Sequence, residues 1–162
     1  MRVEHTLITP ADLPRILKRF KFRITDLTEA MDLYNVPIEY MCHAVTECVR
    51  DSAAAFAVTS GKLVAALWGY GIIYCESGLP LFVVPWCLIH AELDINGIQC
   101  YREFKRCLNA LRDFAPVTNI ISPHSTQSVA LLMRLGFTMT PIRYNGTQAL
   151  VFLSQAIKEA AV

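Results

Sequence analysis

The chain has 162 residues and a formal net charge of +1, with 54 % of its residues hydrophobic and 18 % charged. This length suits one domain with a sizeable core, and the near-neutral charge gives no general signal for nucleic-acid binding. The high apolar content favours either a thick core or a surface buried against a partner. No apolar run reaches bilayer length, and residues 1–10 lack the layout of a secretion signal. We therefore expect a protein that neither spans a membrane nor is secreted.

The cysteines are scattered and include no Cys-x-x-Cys pair: they are Cys42, Cys48, Cys75, Cys87, Cys100 and Cys107. A zinc site needs clustered ligands, so we predict no metal site. Two of the predicted helices each carry two cysteines at a spacing typical of a core face: Cys42 and Cys48 on one, Cys100 and Cys107 on the other. We therefore predict reduced, buried thiols.

The first third of the chain predicts a strand from Val3 to Ile8 and then three helices. Thr9-Pro10 has the hydroxyl cap and first-turn proline of a helix start. A second helix is predicted to be capped by Thr25 or Asp26, and Pro37 opens the third. The predicted core face of the first helix is Leu13, Ile16, Leu17 and Phe20.

A short basic run lies between the first two predicted helices and consists of Lys18, Arg19, Lys21 and Arg23. Cations are favourable near a helix C-terminus, so the run fits a solvated helix end. It also fits a contact for phosphate or an acidic partner. The pattern favours the solvated helix end.

The central third predicts a β-hairpin, a buried strand and a long helix. The hairpin joins Ala54–Thr59 to Leu63–Ile73 through Ser60-Gly61-Lys62. Two glycines, Gly69 and Gly71, flank Tyr70 and indicate a bulge or a close backbone approach. The apolar run Leu81–Trp86 predicts a central strand buried on both faces. The helix is predicted over about 97–114, with Tyr101, Phe104, Leu108 and Leu111 towards the core and with Arg102, Lys105, Arg106 and Arg112 on a solvated face.

The last third is organised around residues 117–141, which predict strand, polar turn, amphipathic helix, glycine stop and strand. The strand has β-branched Val117, Ile120 and Ile121, and hydroxyls of Ser122, Ser125 and Thr126 are available to cap the helix. Apolar residues at helical spacing are Val129, Leu132, Met133 and Leu135. Gly136 sits where a left-handed helix stop is needed. Asn145-Gly146 predicts a final hairpin with a returning strand at Leu150–Leu153.

The segment from Ser125 to Leu135-Gly136-Phe137 resembles the C-terminal half of GNAT-type N-acetyltransferases, and the predicted element order resembles the GNAT order over nearly the whole chain. More narrowly, the chain resembles small GNAT-fold proteins of short-tailed bacteriophages, some named internal virion protein A. The resemblance implies an α/β fold whose mixed, mostly antiparallel sheet of about six or seven strands has helices on both faces. We expect a single domain, 1–162, made of an N-terminal part (1–53), a central part (54–116) and a C-terminal part (117–162).

GNAT enzymes hold the acetyl-CoA pyrophosphate after the fourth strand with Arg/Gln-x-x-Gly-x-Gly/Ala, a glycine-rich loop that leads into a helix N-terminus. The matching run here, CLIHAELDINGIQC, has one glycine, Gly97, and carries Glu92 and Asp94. The tyrosine that serves the family as general acid is replaced by Leu132. The strand Leu81–Trp86 also has no carboxylate that could act as a base. The chain therefore departs from the family pattern where the chemistry lies.

Weak catalytic candidates remain, because a general base needs only reach and a suitable pKa. They are His90, Glu92 and His124, and each of them also fits a polar loop residue without a catalytic role. The resemblance implies that splayed central strands hold the pantetheine arm, with the amine entering near Tyr70 and Trp86. The weak cofactor-binding candidates are Val83, Val84, Trp86, Gly97, Ser122 and Ser125.

Two hypotheses follow. The favoured one is a non-enzymatic GNAT-fold phage protein with a virion-associated or assembly role, located in the virion or host cytoplasm. It would need no cofactor, and its partners would be other phage structural proteins or a second copy of the chain. The alternative is an acetyl-CoA-dependent N-acetyltransferase with an atypical cofactor loop. In that case, replacing Gly97 by a bulky residue should abolish activity.

Overall fold

The computed structural model describes residues 3–93 and 98–154. Its strands and helices, in chain order, are β1 (Val3–Leu7), α1 (Leu13–Leu17), α2 (Ile24–Tyr34), α3 (Met41–Asp51), β2 (Ala54–Ser60), β3 (Leu63–Tyr74), β4 (Pro80–Ile89), α4 (Ile98–Arg112), β5 (Val117–Ile121), α5 (Thr126–Arg134), β6 (Thr138–Tyr144) and β7 (Thr147–Ser154). Short 3-10 turns, Pro10–Asp12 and Ile38–Tyr40, precede α1 and α3. Within these ranges, no helix combines the length and the apolar character needed to cross a bilayer.

The strands form a seven-stranded sheet in the order β1-β2-β3-β4-β5-β7-β6. Antiparallel pairs join β1 to β2, β2 to β3, β5 to β7 and β6 to β7. The pair β4 and β5 is parallel. The predicted fold class, an α/β fold with a mixed and mostly antiparallel sheet, is therefore confirmed.

The chain forms two compact units, and β3 and β4 each contribute residues to both. The first unit comprises the described residues up to Gly71 together with Trp86–Leu93. The second comprises Ile72–Pro85 and the described residues from Ile98 onward. The expectation of a single domain stays a prediction.

The first unit has the core that the N-terminal pattern predicts. Thr9 donates to the Asp12 carboxylate from both its backbone nitrogen and its hydroxyl, at 2.9 Å each, which fixes the helix start. The N-cap of the second helix is Arg23, so the predicted caps Thr25 and Asp26 are wrong. The helix begins at Ile24, and Arg23 pairs with Asp26 across its first turn. The buried residues of this core are Ile8, Leu13, Ile16, Phe20, Met41, Val45, Val49, Ala55, Ala57 and Leu67.

The second unit contains the predicted strand–helix–strand segment. Gly136 has φ +83° and ends α5 in the left-handed conformation, as its position predicts. Asn145 and Gly146 also have positive φ, which fits the two-residue hairpin between β6 and β7. Apolar residues buried in this unit are Val83, Leu108, Leu111, Ala115, Val117, Ile121, Leu135, Phe137, Ala149 and Phe152.

The predictions about the burial of the cysteines and of Arg112 are wrong, as are those for Met133 on α5 and Leu81 on β4, which are exposed. Cys42 and Cys48 are exposed and the other four cysteines are half-buried, so none of the six is a fully buried thiol. On α3 the buried face is Met41, Val45 and Val49, and both cysteines lie one position to the side of it. Arg112, predicted on a solvated face, is 9 % exposed. Its guanidinium is drawn inward because it donates to the Leu135 carbonyl, as described below.

Candidate functional site

The parallel strands β4 and β5 pair in register at Val83↔Val117, where the Val83 N–H donates to the Pro116 carbonyl at 2.8 Å. Two residues further along β5, the side chain of Asn119 forms hydrogen bonds with the backbone of both strands. Its Nδ2 donates to the Pro85 carbonyl at 2.6 Å. Its Oδ1 accepts the N–H of Ile120 at 2.7 Å. Directly after the pair Val83↔Val117, the backbone hydrogen bonds between β4 and β5 are therefore replaced by hydrogen bonds of the Asn119 side chain.

The connection from β5 to α5 is a tight turn that buries two of the predicted cofactor-binding residues. Ser122 is 3 % exposed and Ser125 is 7 % exposed. The Ser122 hydroxyl accepts the N–H of His124 at 3.2 Å, and its carbonyl accepts the N–H of Ser125 at 3.1 Å. Ser125 is the N-cap residue of α5, but the expected side-chain capping bond is not formed. The turn is shaped by the hydroxyl of Ser122 instead.

Trp86, a predicted cofactor-binding residue, lies in the first unit and is used for packing there. Its Nε1 donates to the Ser52 hydroxyl at 2.8 Å. Its ring lies against Gly69, where a Cβ would come within 2.8 Å of Trp86 Cζ2 and of the Ala54 carbonyl oxygen. The close approach predicted for the glycines around Tyr70 is thus found at Gly69. Gly71 has open space around it.

Tyr70, predicted beside the amine entrance, ends a row of half-buried aromatic rings in the first unit. Its ring centroid is 6.3 Å from that of Trp68, which stacks on Phe56 at 4.8 Å. The Trp68 Nε1 donates to Nδ1 of His5 at 3.2 Å. Both predicted entrance residues, Tyr70 and Trp86, belong to this unit.

His90 and Glu92, two of the catalytic candidates, follow β4 in the first unit. His90 is 2 % exposed, packs edge-on against Phe20, and accepts the N–H of Glu92 at Nδ1. Glu92 is exposed and pairs with Lys21, and the hydrogen bond and charge of Lys21 lower the pKa of the Glu92 carboxyl. A buried imidazole and an ion-paired carboxylate are both poorly suited to act as general bases.

His124, the third candidate, is exposed on the turn between β5 and α5. The second unit thus holds Val83, Val84, Ser122, Ser125 and His124, whereas Trp86, His90 and Glu92 belong to the first. Gly97 and Asp94 lie outside the described residues. Leu132, at the position of the family's tyrosine, is half-buried on α5.

Asn119 is the residue of this region that the sequence analysis missed. Two signals were available in the sequence: a proline inside a predicted central strand, and an asparagine inside a short apolar strand. Proline cannot donate to a ladder, and asparagine is depleted in strands. Together, Pro85 and Asn119 indicate an interrupted ladder.

No protein-family model and no curated protein sequence matches the chain. Solved structures do. AAC(6')-Ib, solved with ribostamycin and coenzyme A, is 10 % identical, with a TM-score of 0.71 over 100 % of this chain and 99 % of that one. The GNAT domain of S. lividans PAT is 14 % identical, with a TM-score of 0.67 over 94 % and 90 %. A ribosomal-protein-S5-alanine acetyltransferase from Vibrio fischeri is 13 % identical, with a TM-score of 0.66 over 97 % and 94 %.

At these identities the comparisons establish the fold. They give no support to the narrower resemblance to phage virion proteins, which stays a prediction. The chain therefore has the GNAT fold of N-acetyltransferases.

Proposed function

We propose that this protein is an acetyl-CoA-dependent N-acetyltransferase. The observation that carries the proposal is the parallel β4–β5 pair of a GNAT fold, whose ladder gives way after Val83↔Val117. At the lost rung, Pro85 has no N–H to donate to the Thr118 carbonyl, so this edge of β5 can accept a hydrogen bond from an incoming ligand. The pantetheine arm of CoA carries amide groups that complement such edges. The opening that starts at Pro85 and Asn119 would receive this arm.

The negative charge in the predicted cofactor loop is partly compensated. Glu92 was expected to repel a pyrophosphate, but Lys21 pairs with its carboxylate. The described part of the loop, Ala91–Leu93, therefore carries less uncompensated negative charge than the sequence suggests. Asp94 and Gly97 lie outside the described residues.

Acetyl-CoA would supply an activated acetyl group on its thioester. Transfer forms a C–N bond, breaks the thioester C–S bond and releases CoA as a thiolate. The protonated amine loses one proton before it attacks and a second as the amide forms, and the departing thiolate takes up one of the two. We assign proton acceptance to His124, because it is the exposed histidine on the turn that follows β5, whereas His90 is buried. Ser122 shapes that turn through its bond to the His124 backbone.

The first experiment is calorimetry of the purified protein with acetyl-CoA and with free CoA, followed by an amine screen that detects released CoA. Saturable binding with transfer supports the proposal. Binding without transfer to any amine contradicts catalysis. The absence of binding at millimolar ligand would favour the non-enzymatic role instead, and protein partners should then be sought.

Two histidine variants test the assignment of the base. His124→Ala should lower kcat about 100-fold or more with an unchanged dissociation constant for acetyl-CoA. His43→Ala is the matched control, since His43 is an exposed histidine on α3 in the first unit. An unchanged kcat in His124→Ala would move the proton transfer to another group.

A further inference from the structure

Pro85 stands where a central strand ordinarily tolerates no proline. β4 lies between β3 and β5 in the sheet, and a proline removes one ladder donor. In the register Val83↔Val117, the next rung along the two strands would pair Pro85 with Asn119. The Val83 N–H donates to the carbonyl of the residue before its partner. By the same pattern, residue 85 would donate to the Thr118 carbonyl, which proline cannot do.

The second bond of that rung is also replaced. It would run from the N–H of Ile120 to the Pro85 carbonyl. Each of these two groups is instead bonded to the Asn119 carboxamide: Pro85 O accepts from Nδ2 at 2.6 Å, and the Ile120 N–H donates to Oδ1 at 2.7 Å. The carboxamide thus occupies the place of the missing bond and satisfies both of the groups that the bond would have satisfied. An opening made in this way leaves neither group without a partner.

We propose that the Asn119 carboxamide is a wedge that, with Pro85, ends the β4–β5 ladder and holds the two strands apart to admit the pantetheine arm. The identity of the ligand rests on the proposed function, whereas the wedge itself rests only on the bonds above. Asn119 is a positioning residue on this view, because it acts by separating the strands rather than by reacting. β5 keeps its other edge paired with β7 at Asn119↔Phe152, so only the edge facing β4 is opened.

The decisive variant is the double substitution Pro85→Val with Asn119→Val. It supplies the missing N–H and removes the carboxamide, so the rung can form. We expect hydrogen exchange at the Ile120 amide to slow at least tenfold, the melting temperature to rise, and acetyl-CoA affinity to fall at least tenfold. Thr118→Val is the matched control, since the Thr118 hydroxyl bonds to the Phe152 carbonyl on the opposite edge of β5. Its acetyl-CoA affinity should equal that of the unaltered protein.

A single substitution covers the case in which the double variant does not fold. Asn119→Asp keeps the acceptor for Ile120 but places a carboxylate against the Pro85 carbonyl. The repulsion raises the pKa of that carboxyl in the folded state above its unfolded value, so the protonated form is favoured. The variant should therefore melt below the unaltered protein at pH 7.5 and recover towards it as the pH falls through that raised pKa. A purely structural loss at this position would show no such recovery.

The possible outcomes test the structural role of Asn119 separately from the identity of the ligand. Unchanged Ile120 exchange in the double variant, or an Asn119→Asp deficit that does not depend on pH, would overturn the wedge. Slower exchange with unchanged acetyl-CoA affinity would overturn its role in admitting the ligand. If the unaltered protein binds no acetyl-CoA while exchange at Ile120 still slows in the double variant, the wedge stands and the proposed function falls.

Discussion

Single residues decide how closely the backbone and side chains of the first unit can pack. Gly69 is required because a Cβ there would lie 2.8 Å from the Ala54 carbonyl oxygen, which belongs to the backbone and cannot easily move. Gly71→Ala offers a control two residues along the same strand, with open space around its Cβ. We expect Gly69→Ala to lower the free energy of unfolding by about 1–3 kcal/mol. Gly71→Ala should leave it unchanged or raise it by up to about 1 kcal/mol. Urea unfolding of both variants measures the difference, and equal effects would contradict the packing argument.

Arg112 is a second residue whose environment determines the effect of its replacement. It donates to the Leu135 carbonyl at 2.8 Å, its guanidinium carbon lies 4.4 Å from the Phe137 ring centroid, and its buried Nε has no hydrogen-bond partner within the described structure. Burial lowers the pKa of Arg112, because desolvation disfavours its charged form. Arg112→Ala should cost about 2–4 kcal/mol of unfolding free energy, because it removes the bond, the ring contact and the packed stem. Arg112→Met should cost less, since it keeps the stem and removes the buried charge.

The control for Arg112 is an arginine on the exposed side of α4. Arg106 pairs with Glu103 in solvent, so Arg106→Ala should change the unfolding free energy by less than about 1 kcal/mol. Equal losses in Arg106→Ala and Arg112→Ala, measured by urea unfolding, would show that the Leu135 and Phe137 contacts contribute little.

Thiol reactivity should differ sharply between two cysteines of the second unit. A hydrogen bond with the Ser77 hydroxyl and another with the backbone of Leu79 lower the pKa of the Cys75 thiol. Burial, followed by the charge of Glu103, raises the pKa of Cys107 to about 11. Because the thiolate is the nucleophile, iodoacetamide at pH 8 should modify Cys75 well before Cys107.

Peptide mass mapping over time gives the order of alkylation. Ser77→Ala should slow the modification of Cys75 and leave that of Cys107 unchanged, because it removes the hydrogen bond that lowers the Cys75 pKa most. Faster modification of Cys107 than of Cys75 would show that access, rather than ionisation, controls both rates.

At the scale of elements, the sequence predicted what depends on local chemistry. The caps and turns at Thr9, Gly136 and Asn145-Gly146, and the apolar periods of the helices, placed most strands and helices within a few residues. Burial on helix flanks was harder to predict, because the exposed Cys42 is adjacent in sequence to the buried Met41. The burial of a side chain next to the core face of a helix depends on which neighbouring element packs against that flank.

The candidate site was less predictable than the fold, for a similar reason. The sequence placed Ser122 and Ser125 on the turn after β5, but it gave their hydroxyls a capping role that the structure assigns differently. The bonds of Asn119 depend on a register between strands that are distant in sequence. No local pattern fixes that register.

At the scale of the whole molecule, the chain leaves the first unit at Gly71 and returns to it at Trp86. The returning segment supplies Trp86 and Leu88 to the first core and the His90 N–H to the Ala65 carbonyl. A fragment of residues 1–71 should therefore show no cooperative unfolding, since it lacks these partners. A fragment of residues 1–93 contains the whole unit and should show more helical circular dichroism per residue. Identical spectra and melting curves for the two fragments would contradict this.

The strand order also has a consequence for the timing of synthesis. β7 follows β5 and β6 in the chain, yet it lies between them in the sheet. A polypeptide is made from its N-terminus, so β7 is the last of these three strands to be synthesised. Without Thr147–Ser154, both β5 and β6 carry unpaired edges that can template association between chains. A polypeptide truncated just before Thr147 should therefore associate with other copies, whereas one that extends through Ser154 should not associate through these edges; sedimentation of the two polypeptides measures the difference.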